Sequence, residues 1–509
     1  MIDNVLKQVD LIATTQPKKV AYDELGEKHT YEQLKKASDS LAHALDELNL
    51  PEKAPVMVYG GQQFEMIASF LGSAKSGHAY IPVDVNSAEE RLTDIIEIAK
   101  PAVILAIDEL PTSISDILMI DKQHLDRIFS TNVPYELTHS VQENDNFYII
   151  FTSGTTGRPK GVQISHHNLL SFTNWMIGDT FDWQEGSNVL SQPPYSFDLS
   201  VMDWVPTIVT GGTLKALPKS VAEDFKLLFA TLPKLDLTTW VSTPSFADVA
   251  LLDPEFNQAN NPNLKAFLFC GEVLTRTTAE KLLARFPKVK IYNTYGPTEA
   301  TVAVASIRIT KEIIENYDKM PIGYVKKDTV ISIQDSNDQE VSSGEKGEIV
   351  ISGSSVSKGY LNNPEKTNDV FTKFNGEQAY KTGDLATVDE NSLLHYKGRS
   401  DFQIKLHGFR IELEEVAQQL QQSQWIEQVV AVPRYDADGK VKQLLAIVVP
   451  KENDFSKPML LTNAIKDGMK DIMMPYMMPS RFIYRESMPL TPNGKIDLKG
   501  LIAEVNGNA

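Results

Sequence analysis

Strand-like and helix-like segments alternate in the first part of the chain, and this order constrains the fold more than any other feature. A short apolar run at 55–60 predicts a strand, and the segment 62–77 predicts a helix that ends at Gly77. A second strand at 79–84 precedes a second helix at 90–100, which leads into another apolar strand. Because strand–helix–strand order favours parallel strands with helices on the sheet faces, we predict an α/β fold.

The acidic composition narrows the classes of function. The 509 residues are 42% hydrophobic, enough for large cores, and this length predicts about two to four structural units. A net charge of −18 and a pI near 5.0 argue against a surface for nucleic acid or anionic membrane. No apolar run approaches the ~18 residues that cross a bilayer, and the N-terminus lacks a signal-peptide pattern, so we expect a cytoplasmic protein. The lone cysteine, Cys270, excludes an internal disulfide framework and a cysteine-based zinc cluster.

The stretch from Tyr148 to Gly161 is the strongest functional signal. An apolar strand is followed by a loop of threonine, serine and glycine that ends at Lys160. Such a loop can direct backbone N–H and hydroxyl donors at an anion, and the lysine adds a positive charge, so we predict phosphate binding. A Walker A loop would run directly into a helix, whereas here a second strand at 162–164 comes first. We expect a mobile loop that closes over a nucleotide; the alternative is an ordinary surface turn.

Three later segments carry polar groups suited to a nucleotide. In Asn293–Thr301, Tyr295 could stack on a purine, Thr298 could bind phosphate and Glu299 could hold Mg²⁺. Asp384, after a glycine, offers two carboxylate oxygens to the two ribose hydroxyls. Near the chain end an Asn-Gly turn presents Lys495, for which the alternative is an ordinary exposed lysine.

The loop, these segments and their order resemble the adenylate-forming enzymes, the superfamily of acyl-CoA synthetases, luciferases and peptide-synthetase adenylation domains. The resemblance implies a large N-terminal domain over 1–398, with parallel-type sheets flanked by helices and a small β-barrel-like part. A hinge at 399–402 and a small, mobile α+β C-terminal domain over 403–509 would follow.

The resemblance also implies the site. It places nucleotide binding on Thr152, Ser153, Gly154, Thr155, Thr156, Gly157, Lys160, Asn293, Thr294, Tyr295, Gly296, Pro297, Thr298, Asp384, Tyr396, Arg399 and Lys495. Lys495 would be the catalytic residue, Glu299 the metal ligand and Asp401 the hinge residue. The implied substrate-binding residues are Asp198, Cys270, Gly271, Val302 and Lys495.

Asp198 bears on the substrate class. It lies between Phe197 and Leu199 in a segment that otherwise resembles core, and a buried carboxylate is costly unless it meets a cation. In superfamily members that accept α-amino acids, the matching aspartate holds the substrate ammonium. The alternatives are a helix cap or a structural ion pair. For Cys270 an inert core position is equally open, although the matching cysteine of the relatives considered next favours a D enantiomer.

Over nearly its whole length the chain is similar to the stand-alone enzymes that charge a carrier protein with D-alanine for teichoic acid D-alanylation. This similarity implies ATP with Mg²⁺ as reactants, no tightly bound cofactor and a separate phosphopantetheinylated carrier protein as partner, with the enzyme itself a monomer. One alternative is a free-standing peptide-synthetase-type adenylation enzyme for another small amino acid. Another, from a different class, is a non-catalytic nucleotide sensor.

Overall fold

The chain divides into two compact units. The computed structural model describes residues 1–111, 114, 116–154, 158–490 and 496–507. The large unit consists of Met1–Val85, Ile98–Phe151 and Gly161–Ser400, and the small unit of Asn86–Glu97, Thr152–Lys160 and Asp401–Ala509. The change of unit at Ser400 lies inside the predicted 399–402 segment, whose action as a hinge stays a prediction. The two early segments of the small unit were not predicted.

Most strands are short and buried. In chain order they are β1 Val20–Glu24, β2 Glu27–Thr30, β3 Val56–Gly60, β4 Tyr80–Asp84, β5 Val103–Ala106, β6 Leu118–Asp121, β7 Asn146–Thr152, β8 Lys160–Ser165, β9 Asn188–Ser191, β10 Thr213–Ala216, β11 Thr239–Ser242, β12 Ala266–Phe269, β13 Lys290–Tyr295, β14 Ala305–Ile309, β15 Tyr324–Val325, β16 Thr329–Gln334, β17 Gly347–Gly353, β18 Phe371–Phe374, β19 Glu377–Val388, β20 Leu394–Arg399, β21 Gln403–Leu406, β22 Phe409–Glu412, β23 Ile426–Tyr435, β24 Val441–Pro450 and β25 Arg481–Tyr484.

Helices occur throughout the chain between these strands. They are α1 Val5–Thr15, α2 Tyr31–Glu47, α3 Phe64–Lys75, α4 Glu89–Ala99, α5 Lys122–Ser130, α6 His166–Met176, α7 Leu199–Val209, α8 Lys219–Ala222, α9 Phe225–Thr231, α10 Pro244–Ala250, α11 Arg276–Arg285, α12 Lys311–Asn316, α13 Pro364–Val370, α14 Leu413–Gln421, α15 Pro458–Gly468 and α16 Leu498–Val505. Short 3₁₀ turns occupy Leu232–Lys234, Thr298–Ala300 and Pro475–Met477.

Two mainly parallel sheets form the body of the large unit. The larger has the order β15-β14-β13-β12-β11-β9-β10-β1-β2, with parallel pairing from β13 to β1 and antiparallel pairing at both ends. The second has the order β6-β5-β3-β4-β7-β8, with parallel pairing from β6 to β7. Every residue of β3 is buried, as expected for a strand covered on both faces. The predicted α/β fold is confirmed.

An antiparallel sheet of the large unit corresponds to the predicted small β-barrel-like part. Its order is β16-β17-β19-β18, and β20 pairs with β19. The register between β19 and β20 places Asp384 opposite Arg399, two residues predicted to bind the nucleotide.

The small unit combines strands and helices, as predicted for the C-terminal part. Its main sheet has the order β23-β24-β25, and β21 and β22 form a separate antiparallel pair. Ala88, from an early segment of the chain, packs in the same hydrophobic core as Ile411 and Val416. The Ala88 backbone N–H also contacts the Met474 sulfur at 3.3 Å.

Local chemistry explains where α6 begins. The Ser165 hydroxyl accepts from the Asn168 N–H at 3.1 Å, and the Asn168 side chain accepts from the Ser165 N–H at 2.9 Å. This reciprocal capping box starts α6 directly after β8, so the predicted strand–loop–strand–helix order is confirmed.

A buried ionic group joins the first three helices. The fully buried Lys75 ammonium at the end of α3 contacts Asp10 of α1 at 2.7 Å and Asp39 of α2 at 2.6 Å. A buried lysine needs such partners, because removal of one would leave an unpaired buried charge.

In the described part of the chain, no helix has both the length and the apolar character that a membrane span requires.

Candidate functional site

The predicted nucleoside-binding residues meet at the end of β13. The Tyr295 hydroxyl donates to Asp384 Oδ2 at 2.7 Å, and Arg399 Nη1 donates to Asp384 Oδ1 at 2.7 Å. Burial, and then the Asp384 charge, raise the pKa of Tyr295 well above its ordinary value, and Tyr396 is close enough to contribute. Each carboxylate oxygen can accept more than one hydrogen bond, so Asp384 keeps acceptor capacity beyond its protein donors.

The turn after Tyr295 depends on a close backbone approach. A Cβ added to Gly296 would lie 2.5 Å from the Ala303 Cα, so a larger residue would push the turn apart. The Val304 N–H donates to the Tyr295 carbonyl at 2.8 Å and closes the turn. Pro297 precedes the short 3₁₀ turn that contains Thr298. The predicted Gly-Pro turn is therefore present, with glycine required by space.

Two consecutive residues of this turn adopt the left-handed region. Thr301 has φ of 58° and Val302 has φ of 68°. For a β-branched residue this conformation is unusual, and each such residue costs about 1–3 kcal/mol. Strain of this kind persists where the surrounding structure holds it, and it clusters at ligand sites.

Val302 also contacts the lone cysteine. Cys270 follows β12 and is 4% exposed, and its thiol donates to the Val302 carbonyl at an Sγ–O distance of 3.8 Å. Gly271 has φ of 91°, so the chain turns sharply after the cysteine. The structure thus brings together three of the predicted substrate-binding residues.

Two side chains of the neighbouring strand β13 donate to backbone carbonyls, one in β12 and one at Pro321. Thr294 Oγ1 donates to the Phe269 carbonyl at 2.8 Å, and Asn293 Nδ2 donates to the Pro321 carbonyl at 2.8 Å. Both side chains are buried at the carboxyl end of a parallel strand, the edge at which α/β sheets bind ligands.

Glu299 is fully buried and is held by a residue that the motifs did not indicate. The Tyr360 hydroxyl donates to Glu299 Oε1 at 2.8 Å, and the Ser357 N–H donates to the Glu299 backbone carbonyl at 2.8 Å. In the described ranges, no group of three or more His, Cys, Asp and Glu side chains is arranged to hold a metal ion. Mg²⁺ commonly takes one or two carboxylates and completes its shell with water and substrate phosphates, so a single buried glutamate fits that mode.

Asp198 lies directly before α7 and is 7% exposed. It occupies the N-cap position of this helix, and its side chain makes no capping hydrogen bond there. Burial, and then the Asp198 charge, raise the pKa of Tyr148 well above its ordinary value. The Tyr148 hydroxyl is buried without a hydrogen-bond partner among the described residues.

The start of the predicted phosphate loop belongs to the small unit. Ser153 Oγ donates to the Arg410 carbonyl at 2.7 Å, and the Gly154 N–H donates to the Glu415 carboxylate. The positive charge of Lys160 also acts on Glu415. The loop therefore interacts with β22 and α14 through donors that were predicted to bind phosphate.

Thr152 and Arg158, which lie on either side of positions 155–157 in the sequence, have different surroundings. Thr152 Oγ1 is buried without a hydrogen-bond partner among the described residues. Arg158 forms ion pairs with Asp94 at 2.7 Å and with Glu97. The predictions for Thr155, Thr156 and Gly157 lie outside the described residues.

Two further predictions concern the small unit. Asp401 Oδ1 accepts from the Gln403 N–H at 3.2 Å at the start of this unit. Lys495 lies outside the described residues, and its role stays a prediction. Asp497, two positions later, caps α16 by accepting from the Gly500 N–H at 3.0 Å.

Comparison with known proteins agrees with this arrangement. The model of the AMP-binding enzyme family matches residues 9–361, and that of the AMP-binding enzyme C-terminal domain matches 415–495. D-alanine–D-alanyl carrier protein ligases of Lactiplantibacillus plantarum and Streptococcus agalactiae are each 56% identical to the chain, over 99% of it and 100% of the relative. The corresponding ligase of Streptococcus pyogenes is 55% identical with the same coverage.

Solved structures share the fold. An NRPS protein with adenylation and PCP domains, bound to a vinylsulfonamide inhibitor, has a TM-score of 0.82 at 25% identity, covering 98% of this chain and 84% of its own. The Vibrio cholerae adenylation domain AlmE, in complex with glycyl-adenosine-5'-phosphate, has a TM-score of 0.84 at 22% identity, covering 99% and 98%. The chain belongs to the D-alanine–D-alanyl carrier protein ligases, within the AMP-binding enzyme family.

Proposed function

We propose that the chain joins D-alanine to ATP, forming D-alanyl-adenylate and pyrophosphate, and then transfers the alanyl group to the phosphopantetheine thiol of a carrier protein. The end use of this alanyl group would be D-alanylation of (lipo)teichoic acid. Relatives that match the whole chain at 55–56% identity and bear this activity in their names carry the proposal. The buried Asp198 and the contact between Cys270 and Val302 support a small amino-acid substrate.

The first half-reaction needs charge neutralisation above all. A carboxylate is a poor acyl donor because its leaving group would be oxide. When the substrate carboxylate attacks the α-phosphorus of ATP, pyrophosphate departs, and the resulting acyl-adenylate has AMP as its leaving group instead of oxide. Both reactants are anions, so positioning and cations supply most of the catalysis. Lys495 would bridge the substrate carboxylate and a phosphate oxygen, while Asp198 would hold the substrate ammonium.

The nucleotide would use the residues around Tyr295. Asp384, supported by Arg399, would accept the ribose hydroxyls, and Tyr295 would stack on the adenine. Thr298 would donate to phosphate. Glu299 would hold Mg²⁺, which when bound neutralises phosphate charge, and the Tyr360 hydroxyl would orient the carboxylate for that task.

The second half-reaction, the transfer to the carrier thiol, needs Lys495 in a different position from the first. Lys495 and an incoming thiol would compete for one face of the nucleotide. A rotation at Asp401 would withdraw the lysine and admit the carrier. The monomeric state expected from the resemblance remains part of this proposal.

Amino-acid-dependent ATP–pyrophosphate exchange over a panel of D- and L-amino acids tests the substrate. We expect the highest kcat/KM for D-alanine. Preference for another small amino acid would favour a free-standing peptide-synthetase-type enzyme, and preference for a bulky L-residue would contradict the proposal. Any amino-acid-dependent conversion of ATP to AMP excludes the non-catalytic sensor.

Cys270→Ala is expected to relax the choice between enantiomers. The thiol contacts the Val302 carbonyl, so removing the thiol leaves this part of the predicted substrate pocket wider and less constrained. We expect the ratio of kcat/KM for D-alanine over L-alanine to fall about tenfold, the size of a single pocket contact. Exchange assays with both enantiomers measure this ratio.

Cys270→Ser is the matched control. A serine hydroxyl keeps a donor at the same position, so we expect the ratio to stay closer to that of the wild type. An unchanged ratio in Cys270→Ala would mean that the cysteine serves only as core.

A further inference from the structure

We infer that Glu415 is an internal anion for the phosphate loop, a positioning residue that competes with the departing phosphates of ATP for the Gly154 N–H. The inference rests on the proposed function, because it takes the loop around Gly154 as the phosphate site. It adds a residue from outside the nucleotide motifs and a step that this residue would govern, the binding and release of pyrophosphate.

The position of Glu415 is unusual for a glutamate. It lies in the first turn of α14, where acidic residues are ordinarily exposed and favoured by the helix dipole, yet it is 1% exposed. Its carboxylate accepts from the Gly154 N–H, and Oε2 has no hydrogen-bond partner among the described residues. A buried carboxylate with one unsatisfied oxygen costs free energy, which the charge of Arg91 and then the Gly154 N–H partly offset.

Glu415 also faces a partly open pocket in the small unit. It lines a cavity of about 270 Å³ together with Arg91, Arg158, Gln419 and Met474. The Gln419 Oε1 atom is likewise buried without a hydrogen-bond partner among the described residues. The carboxylate therefore has room to leave the loop when a stronger anion arrives.

Both cations and anions surround the Glu415 carboxylate. Arg91 of α4 and Lys160 of β8 attract the Glu415 carboxylate, whereas Glu412 of β22 repels it. The remaining charged groups of the cavity are Glu90, Asp94 and Arg158, the last of which is paired with Asp94 and Glu97. A glycine N–H, a lysine and an arginine are the usual partners of a bound phosphate. Here the same kinds of group surround the Glu415 carboxylate, which takes the place of the phosphate.

The competition has a built-in pH dependence. Burial, opposed by Arg91, raises the pKa of Glu415 to about 7. Above that pH the group is charged and competes with phosphate, and below it the neutral acid accepts the Gly154 N–H more weakly. Apparent ATP affinity should therefore rise as the pH falls from 8 to 6.

Glu415→Gln tests the inference against Glu414→Gln, its exposed neighbour on the same helix. Both substitutions remove one negative charge, but only the first changes the group that contacts the loop. We expect Glu415→Gln to lower the KM for ATP in pyrophosphate exchange about fivefold, because the loop is then less often occupied by its own carboxylate. The KM for D-alanine should not change, and Glu414→Gln should match the wild type.

Calorimetric binding of inorganic pyrophosphate to the full chain gives a readout independent of turnover. We expect the Kd to fall by a similar factor in Glu415→Gln, and the difference from wild type to shrink from pH 8 to pH 6. A raised or unchanged Kd and KM would overturn the inference. If the wild type shows no D-alanine-dependent exchange, the proposed function fails, whereas the pyrophosphate titration still decides the role of Glu415.

Discussion

Lys495→Ala is expected to lower D-alanine-dependent ATP–pyrophosphate exchange by ~10³-fold or more. The reaction brings a carboxylate against a triphosphate, and the proposed role of Lys495 is to neutralise charge that grows in the transition state. Transfer to the carrier thiol from supplied D-alanyl-adenylate should be nearly unchanged, because the proposed rotation removes the lysine before that step. Parallel assays of the two half-reactions measure the separation.

Lys499→Ala provides the matched control, since Lys499 is an exposed lysine of α16 only four positions away. It removes the same charge from the same region and should leave both half-reactions at the wild-type rate. Equal losses of both half-reactions in Lys495→Ala would contradict the rotation. Undiminished exchange would contradict a catalytic role for the lysine.

Asp198→Asn is expected to raise the KM for D-alanine by about 10²-fold or more, with little change in the KM for ATP. The carboxylate is 7% exposed, and the proposed function assigns the substrate ammonium to it as a partner. Removing one member of a buried ion pair costs about 3–5 kcal/mol. Exchange rates measured over a range of D-alanine concentrations give both constants.

Asp203→Asn makes the same chemical change one turn further along α7. Burial raises the pKa of Asp203 well above its ordinary value, and the Ser191 hydroxyl donates to Asp203 Oδ1 at 3.1 Å. An asparagine amide is close in size and shape to the carboxyl group and can accept the same hydrogen bond, so we expect a D-alanine KM near the wild-type value. A large effect in Asp203→Asn together with none in Asp198→Asn would refute the assignment of the ammonium site.

Much of the fold was predictable because its signals are local. The apolar runs that became β3 and β4, the helix between them and the capping box at Ser165 each depend on residues a few positions apart. The packing of the early segments 86–97 and 152–160 with the C-terminal part was not predictable. Nothing near Ala88 in sequence indicates that it would enter a core with Ile411.

The residues of the candidate site also fall into those that the sequence indicates and those that only the structure reveals. Tyr295, Asp384 and Arg399 lie in recognisable motifs, and the structure joins them within hydrogen-bond distance. Tyr360 is 61 residues from Glu299, and in sequence it is one aromatic residue among many. Glu415 is followed by an apolar stripe and has the pattern of an exposed acidic first turn, so its burial appears only when the distant loop packs on it.

The left-handed backbone at Thr301 and Val302 has a consequence for directed evolution. A screen for heat resistance alone should enrich glycine or asparagine at these two positions, because either tolerates that conformation better than a β-branched side chain. The same exchange would remove the isopropyl group from the residue that Cys270 contacts. Selection for thermal stability alone would then lower the selectivity for the substrate. Thermal stability and substrate selectivity should therefore be measured together in any library that varies this turn.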